Sequence, residues 1–457
     1  MAFLPRPLLR AVGVVAAVVL VTASAAVAQD TAPPLARMEQ VIQSHVSTGA
    51  FMGTVLVARG NGVVISKGYG MANLELDVPN TPSTKFRLGS ITKQFTAAAI
   101  LLLEERGKLK IGDRLKTYLP DAPMAWDRIT IFNVLTHTSG IPNFTAFANY
   151  SEIKSASRSA ADAVATFRDR PLDFGPGEQY SYSNSGYLVL GAIIERVTGQ
   201  SYEQFLTENI FAPLGMSDSG YDSNTAIIKR RASGYTRNQT GYRNAGYLNM
   251  SIPHAAGALY STTEDLLKWQ RALFGGKVVS KASLERMITP FKNDYGLGIG
   301  STLESGRRVI AHNGGIDGFN TRMAFYPDTN TVVIVLSNVN GPVPDVLVPQ
   351  LGRLMHGDTI MLTSERKEIA PDAATIAKYV GAYELAPGVM MTVTLEGSQL
   401  FAQMTGQMKN PIYAQSDRLF FLKVVDAQIE FVRDSSGRVG ELILVQNGAR
   451  QRAARVP

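Results

Sequence analysis

Ser90 and Lys93 stand three residues apart in Arg87-Leu88-Gly89-Ser90-Ile91-Thr92-Lys93-Gln94-Phe95. This stretch ends a turn-rich segment and opens an apolar run predicted to be helical to about Arg106. On a helix that spacing puts both side chains on one face. A serine beside an amine can be a nucleophile, because the amine accepts or relays the hydroxyl proton. A helix start adds unpaired backbone N–H groups and a positive dipole end, which stabilise developing negative charge. The plainer alternative is that Ser90 only caps the helix. The same S-x-x-K spacing recurs at Ser151/Lys154 and Ser364/Lys367, in polar, loop-like stretches read as solvated surface.

A second group lies in Tyr180-Ser181-Tyr182-Ser183-Asn184-Ser185-Gly186, after Phe174-Gly175-Pro176-Gly177 and before a predicted helix. Glycine and proline make a rigid loop there. A lysine ammonium nearby favours the phenolate of Tyr182, which could then act as general base on the serine. Asn184 could hydrogen-bond a substrate amide. Y-x-N also occurs at Tyr242/Asn244 and Tyr247/Asn249, but only the first runs into a core helix. A third group is His312-Asn313-Gly314-Gly315, the one H-x-G in the chain, between two predicted strands. Gly314 on a strand allows a substrate backbone to come close. His312 could donate to a carboxylate or tune a nearby tyrosine; a structural histidine is the alternative. Arg322 soon after could bring positive charge to the site or be a surface arginine on a strand.

His137 reads as a turn-ordering residue. His45, His254 and His356 are scattered, without metal-ligand spacing, so no metal and no cofactor is expected. There is no G-x-S-x-G elbow and no glycine-rich phosphate loop. A net charge of +7 over 457 residues, without a basic run interleaved with aromatics, gives no indication of nucleic acid binding.

These groups must be held by a large core, and 45% hydrophobic with 18% charged residues allows one. Residues 1–28 read as a secretory signal: Arg6 and Arg10, an apolar Ala11–Val21, and Ala26-Val27-Ala28 before Gln29. The chain has no cysteine, hence no lipid-bearing cysteine and no disulfide, and no later stretch suits a membrane span. A bacterial periplasm is the expected location, and the partner a small molecule or short peptide. Nothing fixes an oligomeric state.

Strand patterns at Phe51–Ala58 and Val63–Tyr69 flank the turn Arg59-Gly60-Asn61-Gly62. They return late, at Asp294–Ile299, Arg308–Ala311, Thr321–Tyr326 and Thr331–Ser337. Helices and loops fill the middle. The expected fold is α/β of the α+β type, an antiparallel sheet built from both ends of residues 29–355 around an inserted helical region. Val343–Met355 reads as a closing helix weakened by Pro344 and Pro349. Residues 356–371 read as a linker, and the regular short strands of 372–457 as a small C-terminal β-barrel-like domain.

The order S-x-x-K, Y-x-N, H-x-G resembles the penicillin-recognising serine hydrolases: class C β-lactamases, D-alanyl-D-alanine carboxypeptidases, D-aminopeptidases and related esterases. Leu135-Thr136-His137-Thr138-Ser139-Gly140, Pro213-Leu214-Gly215-Met216 and Gly257-Ala258-Leu259-Tyr260-Ser261-Thr262 are similar too. The resemblance covers about residues 35–345. It implies that Ser90 forms an acyl-enzyme, that Lys93 and Tyr182 share the proton transfer, and that Asn184 orients the substrate. It also implies an oxyanion hole from the backbone N–H groups of Ser90 and Gly315. His312 takes the place of a lysine in the K-T-G of β-lactamases. A histidine is mostly neutral at pH 7, so the expectation is an exported peptidase or esterase acting on small amides or esters. A class C-like β-lactamase and a non-catalytic penicillin-recognising sensor are the alternatives.

Overall fold

The computed structural model describes Met1 and residues 35–456, except 239, 425, 447 and 448. The expected signal segment 1–28 lies outside the described residues apart from Met1. Helix α1 (Leu35–Val46) precedes strands β1 (Gly53–Arg59) and β2 (Gly62–Tyr69). Helices α2 (Thr92–Glu105), α3 (Asn184–Thr198), α4 (His254–Gly257) and α5 (Thr263–Phe274) follow. Then come β3 (Gly300–Glu304), β4 (Arg307–Ile316), β5 (Phe319–Tyr326), β6 (Thr331–Ser337) and α6 (Val343–Met355).

The six strands form one sheet in the order β3-β4-β5-β6-β1-β2, every pair antiparallel. The two chain ends meet where β1 pairs with β6, Val55 opposite Val335 and Val57 opposite Val333. Every residue of Thr331-Val332-Val333-Ile334-Val335-Leu336-Ser337 is buried. Such an unbroken apolar run is what a strand covered on both faces needs. Val55, Val57, Val333 and Val335 pack with α1 and α6 on one face. Leu56, Ala58, Ile334 and Leu336 point the other way, into the core with α2, α3 and α5.

Helix α2 is more deeply set than its apolar stripe suggests: eleven of its fourteen residues are buried. A helix apolar nearly all round belongs inside a large core. Phe95 stacks on Trp269 of α5 with ring centroids 4.1 Å apart. Helix α3 ends on Gly199 in the left-handed region (φ 70°), a position glycine occupies without a Cβ penalty.

Two expectations change, and the closing helix forms with the bounds read for it. Asp294–Ile299 is not a strand, because Asn293 and Asp294 both take positive φ (52° and 53°) and turn the chain; β3 begins at Gly300. Helix α6 forms despite its prolines. Pro344 sits in the first turn, where its missing N–H costs nothing, and buried Val346, Leu347, Val348 and Leu351 hold the rest against the sheet. The helical region also carries short strands, Phe86–Arg87 pairing with Leu259–Ser261 and that in turn with Gly220–Tyr221.

After α6, residues 381–456 form a closed barrel of eight strands: Gly381–Ala386, Val389–Glu396, Gln399–Met404, Asn410–Ala414, Leu419–Leu422, Ala427–Arg433, Val439–Gln446 and Ala449–Val456. The last closes on the first, Tyr383 opposite Arg455. Tyr379, Tyr383, Phe420 and Phe431 fill its core, with Tyr379 stacked on Phe431 at 4.1 Å. Arg366 of the connecting segment reaches Asp426 of the barrel at 2.5 Å, and Gln350 of α6 donates to the same carboxylate at 3.3 Å. Among the described residues no helix is long and apolar enough to cross a membrane.

Candidate active site

Ser90 lies in a 3-10 turn, Gly89–Ile91, directly before α2. It does not cap that helix: the N-cap position is Ile91, and no side chain caps it. Lys93, in the first turn, is fully buried, and its Nζ has three oxygen neighbours. It donates to Asn184 Oδ1 at 2.8 Å and to the Ala256 carbonyl of α4 at 2.8 Å, and lies 3.0 Å from Ser90 Oγ. Burial pulls the Lys93 amine well below the usual lysine range. A neutral amine has two N–H groups and one lone pair. With its N–H groups on the two carbonyl-type oxygens, a neutral amine here would turn its lone pair to the serine hydroxyl.

Tyr182 hydrogen-bonds Ser90, and its ring centroid is 4.8 Å from Lys93 Nζ. Its hydroxyl is pushed above the usual phenol range by burial, against the smaller opposing effect of the Ser90 hydrogen bond. This corrects the expectation of a lysine-stabilised phenolate: the lysine charge that should lower Tyr182 is itself suppressed by burial. Tyr182 is a phenol in the resting protein. Asn184 begins α3, and its backbone N–H donates to Asn143 Oδ1 at 3.1 Å. Its amide nitrogen donates to Asn143 Oδ1 at 3.4 Å and to Thr145 Oγ1 at 3.3 Å, leaving Oδ1 turned to Lys93.

The loop carrying Tyr182 is held by His137. The His137 carbonyl accepts the Ser181 N–H at 2.9 Å, and its ring Nδ1 accepts the Ser183 N–H at 3.2 Å. With Nδ1 an acceptor, the neutral ring carries its proton on Nε2, which has no hydrogen-bond partner among the described residues. The ring lies 4.2 Å from that of Tyr182. His137 therefore does more than order its own turn, although φ is 56° there. Burial holds it well below the usual histidine range.

His312 sits on β4 with 6% exposure, and both its ring nitrogens are engaged. Nδ1 donates to the Asn313 carbonyl at 2.6 Å, and Nε2 accepts from the Tyr295 hydroxyl at 2.8 Å. Burial pushes its pKa down to about 3. His312 is thus a neutral ring inside the protein, with no free donor for a substrate carboxylate. Tyr295, its partner, was hidden in the segment read as a strand.

Gly314 serves the protein's own backbone rather than a substrate's. A Cβ there would lie 2.0 Å from the Leu88 carbonyl oxygen, so only glycine lets β4 pass the segment leading to Ser90. Thr321 Oγ1 donates to that same carbonyl at 2.8 Å. The close approach sets the Gly315 nitrogen 2.9 Å from where a Cβ of Gly89 would stand, beside the backbone of Ser90. Arg322 does not reach the site. It pairs with Glu304 and, at 3.4 Å, with Asp345, and stands opposite Asn313 rather than His312 across the sheet. Lys154 was read as solvated, but is 22% exposed and bound to Asp317 at 2.6 Å. Ser90, Lys93, Tyr182 and Asn184 come together; His312 lines the same core with its polar atoms turned inward.

The beta-lactamase family profile matches residues 38–354. The chain belongs to the beta-lactamase family. A second profile, described as a domain of unknown function (DUF3471), matches residues 365–454. The chain is similar to penicillin-binding protein 4* of Bacillus subtilis, at 30% identity over 443 residues, covering 89% of this chain and 95% of that one. Among solved structures, an octameric penicillin-binding protein homologue from Pyrococcus abyssi is 25% identical, with a TM-score of 0.66 over 92% of this chain and 100% of its own. A D-stereospecific amidohydrolase from Streptomyces sp. is 26% identical, with a TM-score of 0.58 over 67% of this chain and 95% of its own. The protein is therefore a serine hydrolase of the penicillin-binding and beta-lactamase fold.

Proposed function

We propose that this protein hydrolyses small amides or esters, D-amino-acid derivatives foremost, through an acyl-enzyme on Ser90. The observation that carries this is the buried Lys93 amine, satisfied by Asn184 and Ala256 and turned toward Ser90 Oγ at 3.0 Å. Ser90 Oγ attacks the carbonyl carbon as its proton passes to Lys93 Nζ. The oxyanion is held by the backbone N–H groups of Ser90 and Gly315, which would supply a few kcal/mol in the transition state. The C–N or C–O bond then breaks, and the leaving group takes the Tyr182 proton. Lys93 returns a proton to the Tyr182 oxygen. Water enters, gives a proton to Lys93 and attacks the acyl carbon; Ser90 Oγ leaves and regains that proton. Asn184 orients the substrate while it holds Lys93.

The neutral His312 supports a leaving group without a carboxylate, since no permanent cation stands on the third motif. This favours an amidase, aminopeptidase or esterase over a carboxypeptidase or an efficient β-lactamase. The likeness to a D-stereospecific amidohydrolase supports the same choice. Residues 1–28 direct the protein to the periplasm in this reading.

Kinetics with D-alanine p-nitroanilide, D-alanyl-D-alanine and nitrocefin test it. The anilide should be turned over at a kcat/KM at least about 100-fold above the other two, and His312→Lys should narrow that gap by about tenfold or more. Nitrocefin as the best wild-type substrate would overturn the choice of substrate class.

A further inference from the structure

A cavity of about 360 Å³ opens beside the segment leading to Ser90, and its wall includes Arg87, Arg231, Asp317, Phe319 and Tyr247. The two arginines share one carboxylate. Arg87 Nε donates to Asp222 Oδ2 at 2.6 Å and Arg231 Nη1 donates to Asp222 Oδ1, while Asp222 itself is fully buried. Two guanidinium charges against one carboxylate leave one positive charge over. Asp317 does not cancel it, being bound to Lys154 at 2.6 Å.

Both arginines line the cavity. Among the described residues, Arg87 Nη1 and Nη2 have no hydrogen-bond partner, and neither do Nε and Nη2 of Arg231; none of these atoms is sealed in the core. Phe319 lies under the Arg87 guanidinium at 5.8 Å and keeps the fork in place. Fixed guanidinium forks with free N–H groups match the two oxygens of a carboxylate.

We propose that this cavity is an anion subsite that takes a carboxylate carried on the acyl part of the substrate. Three residues of chain span at most about 11 Å, which bounds the separation of the Arg87 and Ser90 backbones. The cavity wall includes Arg87 but none of Ser90, Lys93, Tyr182, Asn184 and Gly315. A leaving group must lie against the group that protonates it, so the space away from Tyr182 belongs to the acyl part. This last step rests on the hydrolase reading above; the presence of a carboxylate site does not.

Two measurements test the subsite. In the first, Ser90→Ala protein is titrated with glutarate by calorimetry at low salt, with and without Arg231→Gln or Tyr247→Glu. Tyr247 is 58% exposed, so its replacement sets a negative charge at the rim without disturbing the core. Glutarate should bind, and either change should weaken it at least tenfold. Absence of glutarate binding, or binding indifferent to both changes, overturns the subsite. In the second, p-nitrophenyl hemiglutarate is compared with p-nitrophenyl valerate. The kcat/KM ratio should favour the charged ester and fall at least tenfold in both variants. A ratio that stays the same overturns the acyl-side placement. If glutarate binds as described but neither ester is turned over beyond the Ser90→Ala background, the subsite stands and the hydrolase reading fails.

Discussion

Burying an amine beside a serine decides which group holds the proton before substrate arrives. Among the described residues Lys93 has no carboxylate against it, only two carbonyl oxygens and the Ser90 hydroxyl. Burial therefore favours its neutral form, and burial likewise favours the protonated form of Tyr182. The sign of the pH dependence follows. A lowered lysine pKa means the active base form grows as pH rises and is complete well before the usual lysine range. A raised tyrosine pKa keeps the proton donor intact past the usual phenol range. kcat/KM should rise on an acid limb set by Lys93, hold a broad plateau, and fall only on the alkaline side. His312 contributes no limb near neutrality, since it titrates at about 3. A pH–rate profile checks this, and Lys93→Met should lower kcat about 1,000-fold or more with a smaller change in KM. An acid limb at the ordinary histidine pKa that vanishes in His312→Gln would assign the limb to the wrong residue here. At this scale the candidate groups are legible because acyl-transfer chemistry requires particular residue types at short spacing. Their proton states were not, because those depend on burial by distant segments. Tyr182 is the clearest case, expected below its ordinary pKa and found above it.

Among elements, the contact between β4 and the Ser90 turn sets Gly315 beside Gly89 and Ser90. Gly314 and Gly89 allow it, with the Leu88 carbonyl and the Gly315 nitrogen as the groups approached. Gly314→Ala would drive a Cβ into the Leu88 carbonyl oxygen. It should cost about 2 kcal/mol or more in urea unfolding and remove most activity. A Gly314→Ala protein with wild-type stability and kcat/KM would show that the approach is not needed. Strands β1 and β6 could be read from their sequences because continuous Val, Ile and Leu runs have few other homes in a folded chain. The segment 294–299 could not, since apolar Tyr295, Leu297 and Ile299 alternate as in a strand while the two residues before Tyr295 take left-handed turns. That same segment supplies Tyr295 to His312, so a misread turn concealed a partner of the third motif. Helix α6 shows the reverse: local proline chemistry argued against it, and burial against the sheet prevailed.

For the whole molecule, the barrel's polar ties run to the connecting segment and to α6. Arg366 and Gln350 both meet Asp426, Lys423 meets Glu368, and the Ile369 N–H donates to the Ala414 carbonyl. Helix α6 packs on the sheet face opposite the one that buries α2. These ties lie across the sheet from Ser90. The barrel's strand rhythm is legible in its sequence; the side on which it docks is not, because single residues such as Arg366, Gln350 and Asp426 make the ties. A chain ending before residue 372 should keep kcat/KM for a p-nitrophenyl ester within about threefold of the full chain, as distant, weakly joined units do. A loss of about tenfold or more with the fold intact by circular dichroism would place the barrel in the catalytic cycle instead.

The central claim is that Ser90 is the nucleophile, and covalent labelling tests it most directly. Purified protein is treated with a fluorophosphonate probe and its intact mass measured, with Ser90→Ala alongside. The account predicts one adduct per wild-type chain, mapped to the peptide containing Ser90, and none on Ser90→Ala. Equal labelling of the two proteins, or an adduct on another serine, would contradict it.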